Sequence, residues 1–263
     1  MRVHLVQYSL LWEEPDANFA RVREMVGSAG VAGGDLVVLP EMFDTGFSFN
    51  LARTSDARGE ALAFLGDLAR ELRATVHGGR TIVNDAGKGL NLASVHGPEG
   101  PLCEYAKIHP FSFGRESEFF VGGTGVAVYD WRSRAGTLRV CPAVCYDLRF
   151  PELFRVGLTR GAEAFSIGAN WPASRAHHWR ALAVARAIEN QAFVFAVNRT
   201  GNDPHLAYAG GSIVVGPKGD VLGELKDEER VLSVEIRAAD VADWRETFPA
   251  WRDGRVGLEW SDQ

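Results

Sequence analysis

Two continuous apolar runs decide the fold of this chain: LVVLP at residues 36–40 and AFVFAV at residues 192–197. Strands that are buried on both faces have this pattern, whereas a half-exposed strand alternates apolar and polar residues. Around these runs, short apolar segments alternate with segments of helical spacing, and Gly-rich turns separate several neighbouring strands. We therefore predict the α/β class and a four-layer α-β-β-α sandwich, in which two mixed sheets are covered by outer helices.

Helices are predicted where apolar residues recur every three or four positions. Three cover residues 18–28, 59–74 and 175–191, and Pro151 fits the first position of a fourth. Residues 107–125 have no periodicity and are predicted to form a long irregular loop. No linker or repeat interrupts the chain, so residues 1–263 are interpreted as one domain. The stretch 248–263 contains Trp251 and Trp260 without periodicity, and we expect a partner subunit to cover it.

Composition narrows the class of protein. Apolar residues make up 46% of the 263 residues and charged residues 24%, which is typical of a globular chain. The formal net charge of −6 and the lack of a basic stripe disfavour a nucleic-acid partner. No run approaches the ~18 apolar residues that span a bilayer, and the first residues lack the long apolar core of a signal peptide. Because an odd number of only three cysteines fits a reducing compartment, we expect a cytoplasmic protein.

Cys145 is the candidate nucleophile. It lies in CPAVCYDLRFPEL, residues 141–153, at the predicted end of a strand and just before a turn into a helix. A sharp turn of this kind exposes a nucleophile and brings backbone N–H groups near it. Position alone leaves open a buried, unreactive cysteine, the role that we assign to Cys103 and Cys141. Cys141 and Cys145 would lie roughly 13 Å apart along a strand, beyond the ~7 Å that a disulfide tolerates.

Two further polar residues end apolar strands. Glu41 directly follows LVVLP, and Lys107 ends EYAK at residues 104–107. A partly desolvated carboxylate is a better proton acceptor than a solvated one, and an ammonium can stabilise negative charge on a substrate oxygen. Either residue alone would be interpreted as an ordinary surface charge, but their shared placement favours a function. None of the seven histidines lies in a context typical of a base, and no metal ligands or cofactor are predicted.

Three segments resemble the signatures of the nitrilase superfamily of carbon–nitrogen hydrolases. They are LPEMF at 39–43, YAKIHPF at 105–111 and CYDLRFPE at 145–152, in the order that the superfamily has. The resemblance runs from the first strand to FPAW at 248–251. Within the superfamily, GANWPASRAHHW at 168–179, ARAIENQAFVFAVNRTG at 185–201 and RETFPAWRD at 245–253 look most like the ω-amidases, including the bacterial 2-oxoglutaramate amidase type.

The resemblance implies a role for each candidate residue. Cys145 attacks an amide carbon, and Glu41 takes the thiol proton and passes it to the leaving ammonia. Lys107 and the backbone N–H of Tyr146 stabilise the tetrahedral oxyanion, and a thioester forms and is hydrolysed. A second glutamate positions substrate or water; in GRESEFFVGG at 114–123 Glu116 matches best and Glu118 is the rival. The resemblance also implies a homodimer or a higher oligomer.

The substrate pocket is predicted from residues near these segments. Phe43, Phe47, Asn170 and Trp171 could form its walls, and Arg175 could bind a substrate carboxylate, because a guanidinium binds carboxylates with two hydrogen bonds. Arg149 and Asp147 are expected to form an ion pair that shapes the turn at Cys145. The predicted substrate is a small amide of the 2-oxoglutaramate or 2-oxosuccinamate type. A nitrilase, an N-carbamoyl amino-acid hydrolase and a catalytically silent binding or scaffold protein remain alternatives.

Overall fold

The computed structural model describes residues 1–254. Within these residues the strands are β1 Arg2–Gln7, β2 Leu36–Val38, β3 Thr75–Val83, β4 Gly89–Gly97, β5 Gly100–Ala106, β6 Tyr129–Ser133, β7 Gly136–Val144, β8 Ala164–Ala169, β9 Phe193–Asn198, β10 Thr200–Asn202, β11 Ala207–Ala209, β12 Ile213–Val215, β13 Val221–Glu224 and β14 Arg230–Glu235. The helices are α1 Pro15–Ser28, α2 Leu51–Thr54, α3 Glu60–Leu72, α4 Glu116–Phe119, α5 Pro151–Thr159, α6 Ala176–Asn190 and α7 Ala239–Thr247.

Twelve of these strands form two six-stranded sheets. The order is β14-β1-β2-β3-β4-β5 in one sheet and β13-β12-β9-β8-β7-β6 in the other, while β10 and β11 form a separate hairpin. Each sheet is mixed. Its three central strands, β1-β2-β3 or β7-β8-β9, run parallel, and antiparallel strands flank them. Parallel strands end at the same edge of a sheet. The end of β2 therefore lies at the edge of the first sheet where the chain continues into loops and helices, and the end of β7 lies at such an edge of the second sheet.

The two apolar runs show how the layers are held together. Leu36 and Val38 of β2 and the phenylalanines of β9 pack in the core between the two sheets. Val37 faces the opposite side, where it packs with residues of α1 and α3, and Val194 packs on the side of α6. Both faces of these strands are therefore buried, and the predicted α-β-β-α sandwich of two mixed sheets with outer helices is confirmed.

Several elements differ from their predicted bounds. Helix α1 begins at Pro15, three residues before the predicted start, because a proline is tolerated at the first helical position. The segment 107–125 is not wholly irregular, since it holds the 3₁₀ turn Ser112–Gly114 and helix α4. The hairpin of β10 and β11 was not predicted. Within residues 1–254 no helix combines the length and apolar character needed to cross a bilayer.

The beginning of the C-terminal stretch docks on its own chain. The side chain of Gln191, at the end of α6, donates to the carbonyl of Phe248 at 2.7 Å and accepts from the backbone N–H of Trp251 at 2.8 Å. The guanidinium of Arg245 lies 5.4 Å from the centre of the Trp251 ring. Trp260 lies outside the described residues, and the predicted cover by a partner subunit stays a prediction.

Candidate active site

Glycines allow the two sheets to approach each other at Glu41. A Cβ at Gly79 of β3 would lie 2.6 Å from the backbone nitrogen of Met42, and a Cβ at Gly168 of β8 would lie 2.8 Å from the carbonyl oxygen of Leu39. Real Cβ atoms do not tolerate such contacts. The backbone around Glu41 is therefore clamped between strands of both sheets, and this clamp brings a residue of one sheet to the strand ends of the other.

Glu41, Lys107 and Glu116 form a buried group that we call the carboxylate–lysine cluster. The ammonium of Lys107 donates to Oε1 of Glu41 at 2.9 Å and to Oε2 of Glu116 at 2.8 Å. All three side chains are at most 1% exposed. Glu118 instead pairs with Arg115 on the surface at 2.7 Å. The structure thus brings Glu116, and not Glu118, together with Glu41 and Lys107.

The charges of the cluster determine the protonation of its lysine. Burial alone would lower the pKa of Lys107, but the negative charges of Glu116 and Glu41 outweigh it and hold that pKa above its usual value. Lys107 is therefore a permanent cation at neutral pH. A buried ammonium next to the candidate nucleophile can stabilise a developing oxyanion.

Cys145 begins a strained turn immediately after β7. It is the first residue of the 3₁₀ turn Cys145–Arg149, and its φ of 44° lies in the left-handed region, which is costly for a residue with a Cβ. Burial raises the pKa of the Cys145 thiol, and the negative charge of Glu41 raises it further, while Lys107 and the backbone N–H of Asn170 oppose the shift. The resting side chain is therefore a neutral thiol that needs a base.

The turn at Cys145 is held by the carboxylate of Asp147. This carboxylate accepts hydrogen bonds from the Tyr105 hydroxyl at 2.7 Å, the Val144 backbone N–H at 3.0 Å and Nδ1 of His109 at 2.8 Å. The predicted ion pair between Asp147 and Arg149 is wrong. Asp147 is fully buried, and both of its carboxylate oxygens accept hydrogen bonds from these donors. Arg149 instead lines the cavity.

One narrow cavity brings most of the predicted residues together. Its volume is about 30 Å³, and its walls include the predicted residues Phe47, Lys107, Cys145, Tyr146, Asn170, Trp171 and Arg175. The walls also include Phe111, Arg149, Pro172 and Leu206, which the sequence analysis did not assign to the pocket. Phe111 and Arg149 stand inside the quoted motifs and could have been nominated. Leu206 lies in the β10–β11 hairpin, for which no sequence signal was recognised.

Phe43 does not line this cavity, which corrects the prediction. Its ring is fully buried and lies 5.8 Å from the ring of Phe19 and 5.7 Å from that of Phe64, on the outer face of the first sheet. Full burial of such a ring stabilises the fold by about 1.5–3 kcal/mol. The ring therefore packs in the apolar layer under α1 and α3 and not at the rim of a polar site.

Two arginines of the cavity wall have no acidic partner among residues 1–254. The guanidinium of Arg149 lies 4.8 Å from the Trp171 ring and contacts Nδ1 of His178 at 3.2 Å. The guanidinium of Arg175 lies 5.4 Å from the Phe111 ring. Within residues 1–254, neither guanidinium has a carboxylate oxygen within 4.0 Å. The cavity wall therefore carries two guanidinium groups whose positive charge no carboxylate within residues 1–254 pairs with.

The loop after Glu41 also carries a buried acid, Asp44. Burial raises the pKa of Asp44 to about 7, and the charge of Asp56 adds to this effect. In the unfolded chain the same group titrates near 3.9. The native state therefore binds more protons than the unfolded state between about pH 4 and pH 7, so stability should fall as pH rises through this window.

We expect Asp44→Asn to remove this pH dependence. At pH 8 the variant should be more stable than the wild type by up to about 3–4 kcal/mol, whereas at pH 4 the two should be similar. Urea unfolding at both pH values measures the difference. Asp16→Asn, at an exposed acid of α1, is the control. Parallel stability curves for Asp44→Asn and the wild type would contradict the prediction.

The arrangement described so far defines a class of protein: an α-β-β-α hydrolase whose site joins a cysteine, a lysine and a glutamate at strand ends to a second glutamate from helix α4. A family model described as carbon-nitrogen hydrolase matches residues 2–246. The chain belongs to the carbon–nitrogen hydrolase family, within the nitrilase superfamily. It is a hydrolase of carbon–nitrogen bonds other than peptide bonds, in linear amides.

Similar proteins point to amidases in particular. The omega-amidase YafV of Escherichia coli is 34% identical over 255 residues, which cover 96% of each chain. A 2-oxoglutaramate amidase of Paenarthrobacter nicotinovorans is 34% identical over 91% of this chain and 84% of its own. A CN-hydrolase superfamily structure from Xanthomonas campestris, with an arsenic adduct in its active site, has a TM-score of 0.90 at 35% identity and covers 99% of both chains.

Within residues 1–254, no group of three His, Cys, Asp or Glu side chains is arranged to hold a metal ion.

Proposed function

We propose that this protein hydrolyses the terminal amide of a small carboxylic or 2-oxo acid, of the 2-oxoglutaramate or 2-oxosuccinamate type, to the acid and ammonia. One observation carries the proposal. The narrow cavity is lined by Cys145 and Lys107. Its walls also include Arg149 and Arg175, whose guanidinium groups have no carboxylate partner within residues 1–254. A short molecule with an amide at one end and a carboxylate at the other matches both. The names of the amidase relatives support the same substrate class.

The proposed reaction starts with a proton transfer. Because burial keeps Cys145 a neutral thiol, its proton passes to Glu41 as the sulfur attacks the amide carbon. The new S–C bond converts the carbonyl oxygen into an oxyanion, which Lys107 and the backbone N–H of Tyr146 stabilise. Glu41 then protonates the nitrogen, the C–N bond breaks and ammonia leaves.

A thioester between Cys145 and the acyl group remains. Water attacks its carbonyl carbon and gives a proton to Glu41, and Glu116 holds the lysine in position through both of its oxygens. The S–C bond then breaks, the sulfur regains a proton, and the carboxylic acid leaves. The arsenic adduct in the active site of the Xanthomonas campestris relative supports a reactive, accessible group in a site of this family.

A substrate panel with matched arginine variants tests the proposal. We expect ammonia release from 2-oxoglutaramate and 2-oxosuccinamate, and little turnover of aliphatic nitriles or N-carbamoyl amino acids.

Arg149→Met and Arg175→Met should raise KM for the acidic amides about tenfold or more, because a charged hydrogen bond is lost. Neither variant should change KM for a neutral amide such as butyramide. An equal effect on both amides would contradict a role in carboxylate binding, and turnover of nitriles or carbamoyl amino acids alone would establish one of the alternatives.

We also propose that the chain acts as a single catalytic domain and assembles as a cytoplasmic homodimer or higher oligomer. Two half-exposed apolar side chains, Ile188 of α6 and Phe248, support an interface on the side of α6 and the C-terminal stretch.

A further inference from the structure

Asn91 of β4 is a buried amide that contacts both acids of the carboxylate–lysine cluster. Its Nδ2 donates to Oε1 of Glu41 at 2.8 Å and to Oε1 of Glu116 at 3.1 Å. The side chain is 2% exposed. The backbone carbonyl of Asn91 also accepts from the backbone N–H of Lys107 at 2.8 Å. One residue therefore touches every member of the cluster.

The orientation of this amide is decided by the carboxylates. The opposite orientation would direct Oδ1 of Asn91 at two carboxylate oxygens, which would repel it. In the observed orientation, Oδ1 is buried without a hydrogen-bond partner among the described residues. At this position the side chain supplies the two N–H donors of its amide to the two carboxylates.

The carboxylate–lysine cluster needs hydrogen-bond donors that carry no charge. Two buried carboxylates face a single ammonium, since Lys107 is the only cation in the cluster. A second cation would neutralise the base, whereas a neutral amide stabilises both carboxylates and leaves the net negative charge in place. Asparagine supplies two such N–H bonds in a fixed plane.

Asn91 also selects which oxygen of Glu41 faces the nucleophile. Oε1 is held by Lys107 at 2.9 Å and by Asn91 at 2.8 Å. Oε2 accepts from the backbone N–H of Asn170 at 3.0 Å, and Asn170 lines the same cavity as Cys145. With Oε1 bound by Lys107 and Asn91, Oε2 is the oxygen of Glu41 on the side of this cavity-lining residue.

We propose that Asn91 is a positioning residue of this hydrolase: its amide donates to Oε1 of Glu41 and of Glu116, holds both carboxylates in place beside one lysine, and orients Oε2 of Glu41 towards Cys145. The inference deepens the proposed function and rests on the same site. It assigns a fifth side chain to the site, outside the three family motifs.

Two variants separate the donor role from packing. Asn91→Asp keeps the shape but replaces the N–H bonds with a third carboxylate. Asn91→Leu keeps approximate volume and removes both bonds. We expect each to lower kcat by about 10- to 100-fold with KM within about threefold, as is typical for groups that orient catalytic residues.

The acidic limb of the pH profile of kcat/KM should move to higher pH in Asn91→Leu. In Asn91→Asp, activity relative to the wild type should recover as pH falls, because the introduced carboxyl becomes a hydrogen-bond donor once it is protonated.

Alkylation of Cys145 by iodoacetamide gives a readout that needs no substrate. We expect the rate at pH 7 to fall about tenfold in Asn91→Leu, since the base no longer faces the thiol. Asn190→Leu is the matched control, because Asn190 is also buried with an unpartnered Oδ1 in the described part of the chain but lies at the end of α6. It should keep the kcat and the alkylation rate of the wild type.

The outcomes distinguish this inference from the proposed function. If wild-type protein releases no ammonia from any amide but is alkylated in an Asn91-dependent way, the proposed substrate fails and the positioning role stands. If folded Asn91→Leu and Asn91→Asp keep wild-type kcat, pH profile and alkylation rate, the positioning role is overturned. Loss of activity that merely follows the unfolded fraction, with normal alkylation of the folded protein, overturns it as well.

Discussion

Cys145→Ala is expected to lower amide turnover by on the order of 10⁴-fold or more, because the loss of a nucleophile removes the covalent route entirely. Cys145 lies in the cavity wall and is 8% exposed, so its replacement by the smaller alanine should leave the fold intact. Wild-type enzyme that is quenched with acid during turnover should carry the mass of the acyl group on the peptide with Cys145. The variant should carry none.

The other two thiols provide controls for this experiment. Cys103 is half-buried, and burial raises its pKa to about 11, while Cys141 is fully buried in the core. Neither lines the cavity, so Cys103→Ala should retain normal turnover and normal acyl labelling. Turnover by Cys145→Ala within tenfold of the wild type would refute the mechanism. Complete inertness of Cys145 to iodoacetamide would favour a silent binding protein instead.

Lys107→Met should reduce kcat by about 10²–10³-fold with a much smaller change in KM, since an oxyanion donor acts mainly in the transition state. The same change has a structural cost. Lys107 is the cation between two carboxylates that are fully buried. Its removal leaves these charges unpaired, and breaking a buried pair in this way typically costs about 3–5 kcal/mol of stability.

A double variant separates these two effects. Lys107→Met combined with Glu116→Gln restores the net charge of the carboxylate–lysine cluster to that of the wild type. We expect the double variant to recover much of the free energy of unfolding, measured in urea, and to remain as slow as Lys107→Met. Lys88→Met is the control, because Lys88 is a surface lysine whose ammonium donates to the carbonyl of Glu118. Near-normal turnover in the double variant would exclude Lys107 as the oxyanion donor.

Much of the site could be predicted because three of its residues stand where predicted strands end. Glu41, Lys107 and Cys145 each follow such a strand in the structure. Strand ends are visible in sequence, since the apolar run stops there, and parallel strands carry these ends to one edge of a sheet. Asn91 escaped prediction for the opposite reason. It lies inside a strand, where a polar residue is ordinarily interpreted as half-exposed, and its role depends on which side chains lie across from it.

The wrong predictions concern side chains next to a turn. Phe43 follows Met42, whose φ of 44° turns the chain in a way that apolar spacing does not reveal. Arg149 and Asp147 are two residues apart, but Asp147 is taken by Tyr105 and His109, which come from the end of the other sheet. Proximity in sequence does not decide which charges pair, because partners are chosen by distance in space.

The amino-acid sequence by itself determined the layers of this protein and the identity of its candidate nucleophile, base and lysine. The layers follow from apolar runs that need burial on both faces, and the roles of the three residues follow from their places at strand ends together with the resemblance to the nitrilase superfamily. Only the tertiary structure decided that Glu116 rather than Glu118 completes the carboxylate–lysine cluster, that Asn91 joins it, and that Arg149 faces the cavity. Each of these outcomes depends on which side chains lie close together in space, and no local pattern encodes such a distance between segments.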